Sequence, residues 1–175
     1  MGKSIRPLPV KLVIGLIFSN KAILNKTMPI LKKRFGPVDF QSQTLDFSHT
    51  NYYEKEFGKG LKRSFISFGR LIAPDSLARI KNITNSIERK LSKNACRLIN
   101  IDPGYLDLPK LILASTKDYN HRIYIGKGIF AEITLFYEGD TFKPWQWTYP
   151  DYRTDDYIKI FNQIRKIYTQ QIPKK

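Results

Sequence analysis

Apolar and polar residues alternate most regularly over residues 117–134, and this pattern predicts a β-hairpin. Two alternating runs flank the short segment Gly126-Lys127-Gly128, which is typical of a hairpin loop. With these three residues in the loop, one face is aliphatic and the other carries Arg122 and Glu132. A shift by one residue would mix the two faces, which a half-buried sheet disfavours. The predicted cross-strand partners are Ile125 with Ile129, Ile123 with Ala131, and Arg122 with Glu132.

The rest of the pattern predicts strands interspersed with helices. Residues 10–18 are almost all apolar, which is typical of a central strand covered on both faces. Pro29 should kink or interrupt the first helix, and Pro103-Gly104 should turn the chain. The predicted strands are 10–18, 38–47, Lys62–Phe68, 97–102 and 110–116. The predicted helices are Lys21–Phe35 with Ser19 or Asn20 as its cap, one opening at Pro74 or Asp75 and ending near Leu91, and one capped by Thr154.

The order of the first six elements is strand, helix, strand, strand, helix, strand. This is the ferredoxin-like βαββαβ order. The expected fold is therefore α+β, with this unit extended by the strand at 110–116, the hairpin and a C-terminal helix, and with the helices packed on one face of the sheet. A length of 175 residues suits a single domain over 1–175, in which residues 1–9 form a loose N-terminal arm.

The composition adds a strong positive charge to this picture. The formal net charge is +15, and residues 1–36 contain eight basic residues and no acidic one. Such a chain attracts polyanions, although a lysine-rich surface can also serve only to keep a protein in solution. A nucleotide or RNA is the expected partner. The single cysteine, Cys96, is expected to be a packed thiol in a cytoplasmic protein, and the apolar run 10–18 is too short to span a bilayer.

Ionisable residues cluster at the open end of the predicted hairpin. Histidine is a common general acid or base, so His121 is a candidate catalytic residue, and Asp118 and Glu132 are the others. The structural alternative is that Glu132 only pairs with Arg122, because a buried charge requires a counterion. In that case His121 is a hydrogen-bonded structural residue.

A second set of residues could bind a ligand. The aromatic segment 145–153 could stack a nucleobase through Tyr149 or Trp147, or it could form a lid over the core in which Asp151 pairs with Arg153. Basic residues would contact phosphate. The candidate ligand-binding residues are Lys62, Arg63, Lys117, Arg122, Tyr149, Asp151 and Arg153.

A divalent metal is a candidate cofactor, because Asp102, Asp118 and Glu132 could provide oxygen ligands. None of them has a diagnostic spacing. The chain has no Walker A motif, and its Thr116-Lys117-Asp118 lacks one residue of the guanine-reading pattern of GTPases.

Three functional hypotheses follow. The first is binding of a nucleotide or of RNA phosphate at a basic polar site around 117–134. The second is a metal-assisted hydrolase or transferase acting on a phosphorylated substrate. The third is a protein-interaction module that uses the aromatic segment.

Several short segments together resemble a known family. They are Pro9-Val10-Lys11-Leu12, Gly15-Leu16-Ile17-Phe18-Ser19, Phe35-Gly36-Pro37-Val38-Asp39, Tyr52-Tyr53-Glu54, Leu61-Lys62-Arg63, Asn100-Ile101-Asp102-Pro103-Gly104-Tyr105-Leu106, Ala114-Ser115-Thr116-Lys117-Asp118, His121-Arg122-Ile123-Tyr124, Glu132-Ile133-Thr134 and Trp147-Thr148-Tyr149-Pro150-Asp151-Tyr152-Arg153. Over nearly its whole length the chain resembles the bacterial and archaeal domain-of-unknown-function family DUF4416. The resemblance implies no established activity. Some members carry a GTP-binding label, which the residues here do not support.

Overall fold

The structure, a computed structural model, describes residues 2–47, 60–94 and 96–173. Nine strands form one antiparallel sheet with helices packed against it, which confirms the α+β class. The strands are β1 (Lys11–Phe18), β2 (Val38–Gln41), β3 (Leu45–Asp46), β4 (Lys62–Phe68), β5 (Ile99–Leu106), β6 (Lys110–Ser115), β7 (Ile123–Tyr124), β8 (Phe130–Glu138) and β9 (Thr141–Pro144). The helices are α1 (Lys21–Phe35), α2 (Leu77–Lys90) and α3 (Asp155–Thr169), with 3₁₀ turns at Pro74–Ser76 and Pro150–Arg153.

The sheet runs in the order β2-β4-β1-β5-β6-β8-β7, with β3 paired to β4 and β9 paired to β8. All eight residues of β1 are buried, as its apolar sequence predicts for a central strand. The predicted strand 38–47 is instead two short strands, β2 and β3, which both pair with β4.

Successive residues of β1 contact different helices. Leu12 and Leu16 lie in one apolar cluster with side chains of α1 and α2. Val13 points to the opposite face and lies in a second cluster with Phe161 of α3. The expectation that the helices share one face is therefore not confirmed. The amphipathic stripe of α3 covers the face that α1 and α2 leave open.

Both helix starts predicted from capping residues are present. The Asn20 side chain accepts a hydrogen bond from Ile23 N at 3.1 Å, and Thr154 Oγ1 accepts one from Tyr157 N at 3.5 Å. The predicted interruption at Pro29 is wrong, because α1 is continuous. Pro29 lies on the exposed side of the helix, where the carbonyl that loses its partner can bind water.

Two further expectations are wrong. Cys96 is exposed, not packed, because it lies outside the strands in an isolated bridge to Lys93. Pro103-Gly104 does not turn the chain, because β5 runs through both residues to Leu106.

Among the described helices, none is long and apolar enough to cross a membrane.

Pro103-Gly104 instead marks the point at which β5 and β6 diverge. A Cβ on Gly104 would lie 2.3 Å from Ile112 O, so only glycine allows the close approach of these strands. On the N-terminal side of Gly104 the pairing of β5 with β6 stops, and the backbone of Ile101 is hydrogen-bonded to side chains of α2 instead. Pro103 lies two residues after Ile101, so its backbone nitrogen faces the same edge of β5 as the backbone nitrogen of Ile101. Because it has no N–H, it cannot donate a hydrogen bond to β6.

Candidate functional site

A cavity of about 800 Å³ lies where β5 and β6 diverge. Its walls come from α2, β4, β5, β6, β8 and the 3₁₀ turn Pro150–Arg153. Most of the polar lining is charged, and both signs are present. The basic lining residues are Arg63, Lys81, Arg89, Arg97 and Lys117, and the acidic ones are Glu88, Asp102, Glu132 and Asp151.

Asp102 of β5 is the central carboxylate of the cavity. Its Oδ1 lies 3.2 Å from Lys81 Nζ of α2, and its Oδ2 lies 3.7 Å from Arg63 Nη1 of β4. Asn100 Nδ2 donates a hydrogen bond to it as well. Burial alone would raise the pKa of Asp102, but Lys81 and Arg63 outweigh burial and hold this pKa below its usual value. The carboxyl group is therefore ionised at neutral pH.

Arg63 lies beside Asp102 and is only 2% exposed. Its guanidinium occupies the space above Gly15 of β1, where a Cβ would come within 2.6 Å of Arg63 Nη2. The same Nη2 donates to Tyr152 Oη at 2.6 Å, and the ring of Phe65 lies 4.7 Å from the guanidinium carbon. Arg63 Nε has no hydrogen-bond partner. Of the donor atoms of this buried guanidinium, Nε is therefore unused.

The open edge of β5 is bonded by side chains of α2. Glu88 Oε1 accepts a hydrogen bond from Ile101 N at 2.6 Å, and Lys81 Nζ donates to Ile101 O at 3.4 Å. Arg97 Nη1 donates to Glu88 Oε2 at 3.1 Å. Burial raises the pKa of Glu88, and Lys81 offsets this only in part. These contacts replace the missing neighbouring strand, so the cavity remains open while the backbone stays hydrogen-bonded.

On the other side of the cavity, Glu132 of β8 makes the predicted ion pair with Arg122. Arg122 Nε donates to Glu132 Oε2 at 2.8 Å, and His121 Nε2 lies 3.2 Å from the same oxygen. Thr134 Oγ1 donates to Glu132 Oε1 at 3.3 Å. Arg122 also donates to Tyr149 Oη. The predicted hairpin register is confirmed by the pairing of Ile123 with Ala131 and by the bond from Ile125 N to Ile129 O.

Six of the residues singled out from the sequence line this one cavity. They come from three strands, the segment after β6 and the aromatic segment, which are far apart in the chain. They are Arg63, Asp102, Lys117, Glu132, Tyr149 and Asp151.

The other candidate residues lie outside the lining. Lys62 bonds to Asp46 at the surface. Arg122 and His121 contact Glu132 without lining the cavity. Arg153 donates to the carbonyls of its own loop, at 2.7 Å to Thr148 O and 2.6 Å to Gln146 O. Asp118 is exposed.

The aromatic segment covers part of β8. Trp147 stacks on His121 with ring centroids 5.8 Å apart and on Trp145 with centroids 5.1 Å apart. Its Nε1 donates to Ile133 O at 3.1 Å. Neighbouring rings therefore already contact Trp147, which favours a lid role over the stacking of a nucleobase. Of the aromatic segment, Tyr149 and Tyr152 line the cavity, and Tyr149 accepts a hydrogen bond from Arg122.

The geometry gives the predicted metal site no support. Among residues 2–47, 60–94 and 96–173, no three His, Cys, Asp or Glu side chains come close enough to hold an ion together. Asp102 is bonded to Lys81 and Asn100, and Glu132 to Arg122.

Sequence reasoning missed the contribution of α2. Lys81 and Glu88 lie seven residues apart on the buried side of this helix, where the pattern otherwise requires apolar residues. Charged residues within the apolar stripe were the available signal. Arg97 and Asn100 have no comparable signal in the sequence.

One comparison with known proteins is positive. The profile of a family described as a domain of unknown function, DUF4416, matches residues 8–168. The chain belongs to the DUF4416 family. The segment Tyr52-Tyr53-Glu54, one of those that carry the resemblance to this family, lies outside the described residues. No curated protein and no solved structure gives a significant match to this DUF4416 chain, so any function has to be argued from the cavity.

Proposed function

We propose that this DUF4416 protein binds a small phosphate-bearing ligand, with a nucleotide as the first candidate, in the cavity between β5 and β6. The observation that carries the proposal is Arg63. Its guanidinium lines the cavity, is 2% exposed and leaves Nε without a hydrogen-bond partner. A buried guanidinium with an unused donor is suited to bind an oxygen of a phosphate group.

The charge of the lining supports an anionic ligand. Five basic and four acidic side chains line the cavity, and the charge of Glu132 is already matched by Arg122, which lies outside the lining. The remaining lining therefore carries an excess of two formal positive charges, five minus three. Two of the basic residues, Arg89 and Lys117, are exposed at the rim, where an entering anion would meet them first.

The size of the cavity favours a single nucleotide over an RNA strand. Its volume of about 800 Å³ falls within the range of about 300–1,000 Å³ that is usual for small-molecule sites. The ionised Asp102 and Asp151, which both line the cavity, can accept hydrogen bonds from the sugar hydroxyl and base amino groups of a nucleoside, which inorganic phosphate lacks.

The proposal is tested by thermal unfolding and titration calorimetry at low salt. The panel contains purine and pyrimidine nucleotides, a pentose phosphate and inorganic phosphate. A ligand at about 100 times its dissociation constant should raise the unfolding free energy by about 2.7 kcal/mol. Replacing both rim residues, Arg89→Ala with Lys117→Ala, should weaken its binding by about tenfold or more, because each charged hydrogen bond contributes about 1.5–3 kcal/mol.

The control is the pair Arg79→Ala with Lys159→Ala. Both residues are exposed, lie on helices and are absent from the cavity lining, and the pair removes the same charge. It should leave the affinity within about twofold, since long-range interactions between exposed charges are screened. The proposal fails if no phosphate compound shifts the unfolding transition, or if the control pair weakens binding as much as the rim pair.

Two finer features belong to the same proposal. We propose that the first part of the chain is a ferredoxin-like unit. In a βαββαβ unit of this kind, two inner strands lie between two outer ones. The sheet order β2-β4-β1-β5 supports the proposal, because β4 and β1 are the inner strands, β2 and β5 are the outer ones, and every neighbouring pair is antiparallel. We also propose a cytoplasmic location, which the single free cysteine supports.

A further inference from the structure

The outward side of α1 is strongly basic. Its fifteen residues include five basic ones and no acid. All five are exposed, and within the described residues none of them forms an ion pair. They are Lys21, Lys26, Lys32, Lys33 and Arg34. The neighbouring helix α2 adds exposed Arg79 and Lys90, and its only acid, Glu88, is buried.

The helix on the opposite side of the sheet lacks this excess of positive charge. Helix α3 begins with exposed Asp155 and Asp156, and its exposed basic residues are Lys159 and Lys166. The charge excess of the chain is therefore concentrated on the layer formed by α1 and α2. It is not spread evenly, as a surface adapted only for solubility would be.

We propose that the exposed side of α1 binds the phosphate backbone of a double-stranded nucleic acid, without reading its sequence. From Lys21 to Arg34 the helix rises about 20 Å, which is the length of about six base pairs. Lys26 and Lys33 lie two turns apart, near the centre of the exposed side. Lysine and arginine side chains presented in this way contact phosphates and release counterions.

The chemistry of this side of α1 favours a duplex over other polyanions. Ile30, at 39%, is its only exposed large apolar residue, and its apolar residues Ile23, Leu24, Leu31 and Phe35 pack inward on the sheet. A helix that binds a membrane would present such residues to the lipid. The exposed side carries no aromatic residue on which unpaired bases could stack, and protein interfaces are depleted in lysine.

The test compares two charge reversals of equal size. One variant carries Lys26→Glu and Lys33→Glu on α1. The control carries Lys159→Glu and Lys166→Glu on α3, which are also exposed, seven residues apart and change the net charge equally. Binding of a fluorescent RNA duplex and a DNA duplex of random sequence is measured by anisotropy between about 50 and 200 mM salt, the interval over which such binding weakens steeply.

The α1 variant should weaken duplex binding at least tenfold at low salt. The slope of log K against log salt should fall by about 0.9 for each phosphate that the variant no longer neutralises. The α3 control should change the affinity by less than threefold. Equal weakening by the two variants would overturn the proposal, because net charge alone would then explain binding. Binding to phosphatidylserine vesicles but not to duplex would also overturn it, as would no binding by the unmodified protein.

This surface is independent of the cavity, and the two proposals fail separately. The rim pair Arg89→Ala with Lys117→Ala should retain duplex binding within about threefold, because the five basic residues of α1 remain and long-range charge effects are screened. The α1 variant should retain the affinity for a nucleotide. Circular dichroism and the unfolding midpoint confirm that each variant is folded.

Discussion

Two carboxylates, Asp102 and Glu132, flank the same cavity and are neutralised in different ways. The partners of Glu132 are local: Arg122 and His121 lie ten and eleven residues away in the chain, on the facing part of the hairpin. The partners of Asp102 come from α2 and β4. The Glu132 side chain is 1% exposed, whereas that of Asp102 is 26% exposed.

Glu132 and Asp102 differ in whether a ligand could contact them. Glu132 accepts close hydrogen bonds from Arg122 and Thr134 and has almost no accessible surface. Asp102 retains accessible surface. The nearest guanidinium nitrogen of its partner Arg63 lies 3.7 Å away, and Arg63 Nε has no hydrogen-bond partner. We therefore assign Glu132 to the stability of the hairpin and Asp102 to the binding side of the cavity. A catalytic role for Glu132 stays a prediction from the sequence, and this geometry gives it no support.

The largest expected effect is that of Glu132→Gln. The substitution leaves the Arg122 guanidinium, 5% exposed, without its counterion. Breaking a buried pair in this way costs about 3–5 kcal/mol of unfolding free energy, measured by urea denaturation. The control is Glu138→Gln on the same strand, whose pair with Lys143 is exposed and should cost less than about 1 kcal/mol. Equal costs for the two variants would contradict the structural assignment of Glu132.

A smaller effect is expected for Gly15→Ala, which perturbs only the Asp102 side. The new Cβ would lie 2.6 Å from Arg63 Nη2 and 3.2 Å from Phe65 Cε1. Arg63 would have to move, at a cost of about 1–3 kcal/mol, and nucleotide affinity should fall with it. Gly69→Ala is the control, because its Cβ would make only ordinary contacts, the nearest at 3.7 Å. An unchanged affinity in Gly15→Ala would show that the position of Arg63 does not matter for binding.

The smallest effect on stability is expected for Asp102→Asn, about 1–2 kcal/mol, because the site is partly exposed and the one remaining oxygen can still accept a hydrogen bond from Lys81 or Asn100. The pKa of Asp102 is below its usual value of 3.8 in the folded state. Its ionised form therefore stabilises the fold above about pH 4, and this contribution is lost as the pH falls through the lowered pKa. Asp102→Asn should therefore flatten the loss of stability that occurs as the pH falls below about 4.

The same variant has a second readout, which distinguishes Asp102 from Glu132. Removing the negative charge of Asp102 beside Arg63 and Lys81 should strengthen the binding of a phosphate-bearing ligand while weakening the fold. Calorimetry and denaturation, done on the same preparation, measure the two changes. A parallel loss of stability and affinity would mean that Asp102 either keeps the cavity walls in place or accepts hydrogen bonds from the ligand, and that its charge does not weaken phosphate binding.

The hairpin could be predicted from the sequence because its determinants are local. Alternation specifies its register, and the glycines at 126 and 128 have φ values of +92° and +73°, which the turn requires. The ion pair of Glu132 follows directly from that register. The same local logic predicts the caps at Asn20 and Thr154.

The Asp102 cluster could be predicted only in part, because it depends on how distant elements pack. Nothing near Asp102 in the chain indicates that Lys81 would reach it across the open edge of β5. Pro103-Gly104 predicts a turn because both residues are common in turns. In the folded chain they have different roles: Gly104 allows β6 to approach, and Pro103 lacks the donor that would continue the ladder.

The divergence at Pro103 also has a kinetic consequence. β1 pairs with β5 along the full length of both strands, from Lys11 opposite Leu106 to Phe18 opposite Ile99. The β5 side of the gap is therefore held along its whole length by the central strand β1. A ligand would enter a space that is already formed, and its association would show a single phase limited by diffusion and charge, with no slow rearrangement of the protein.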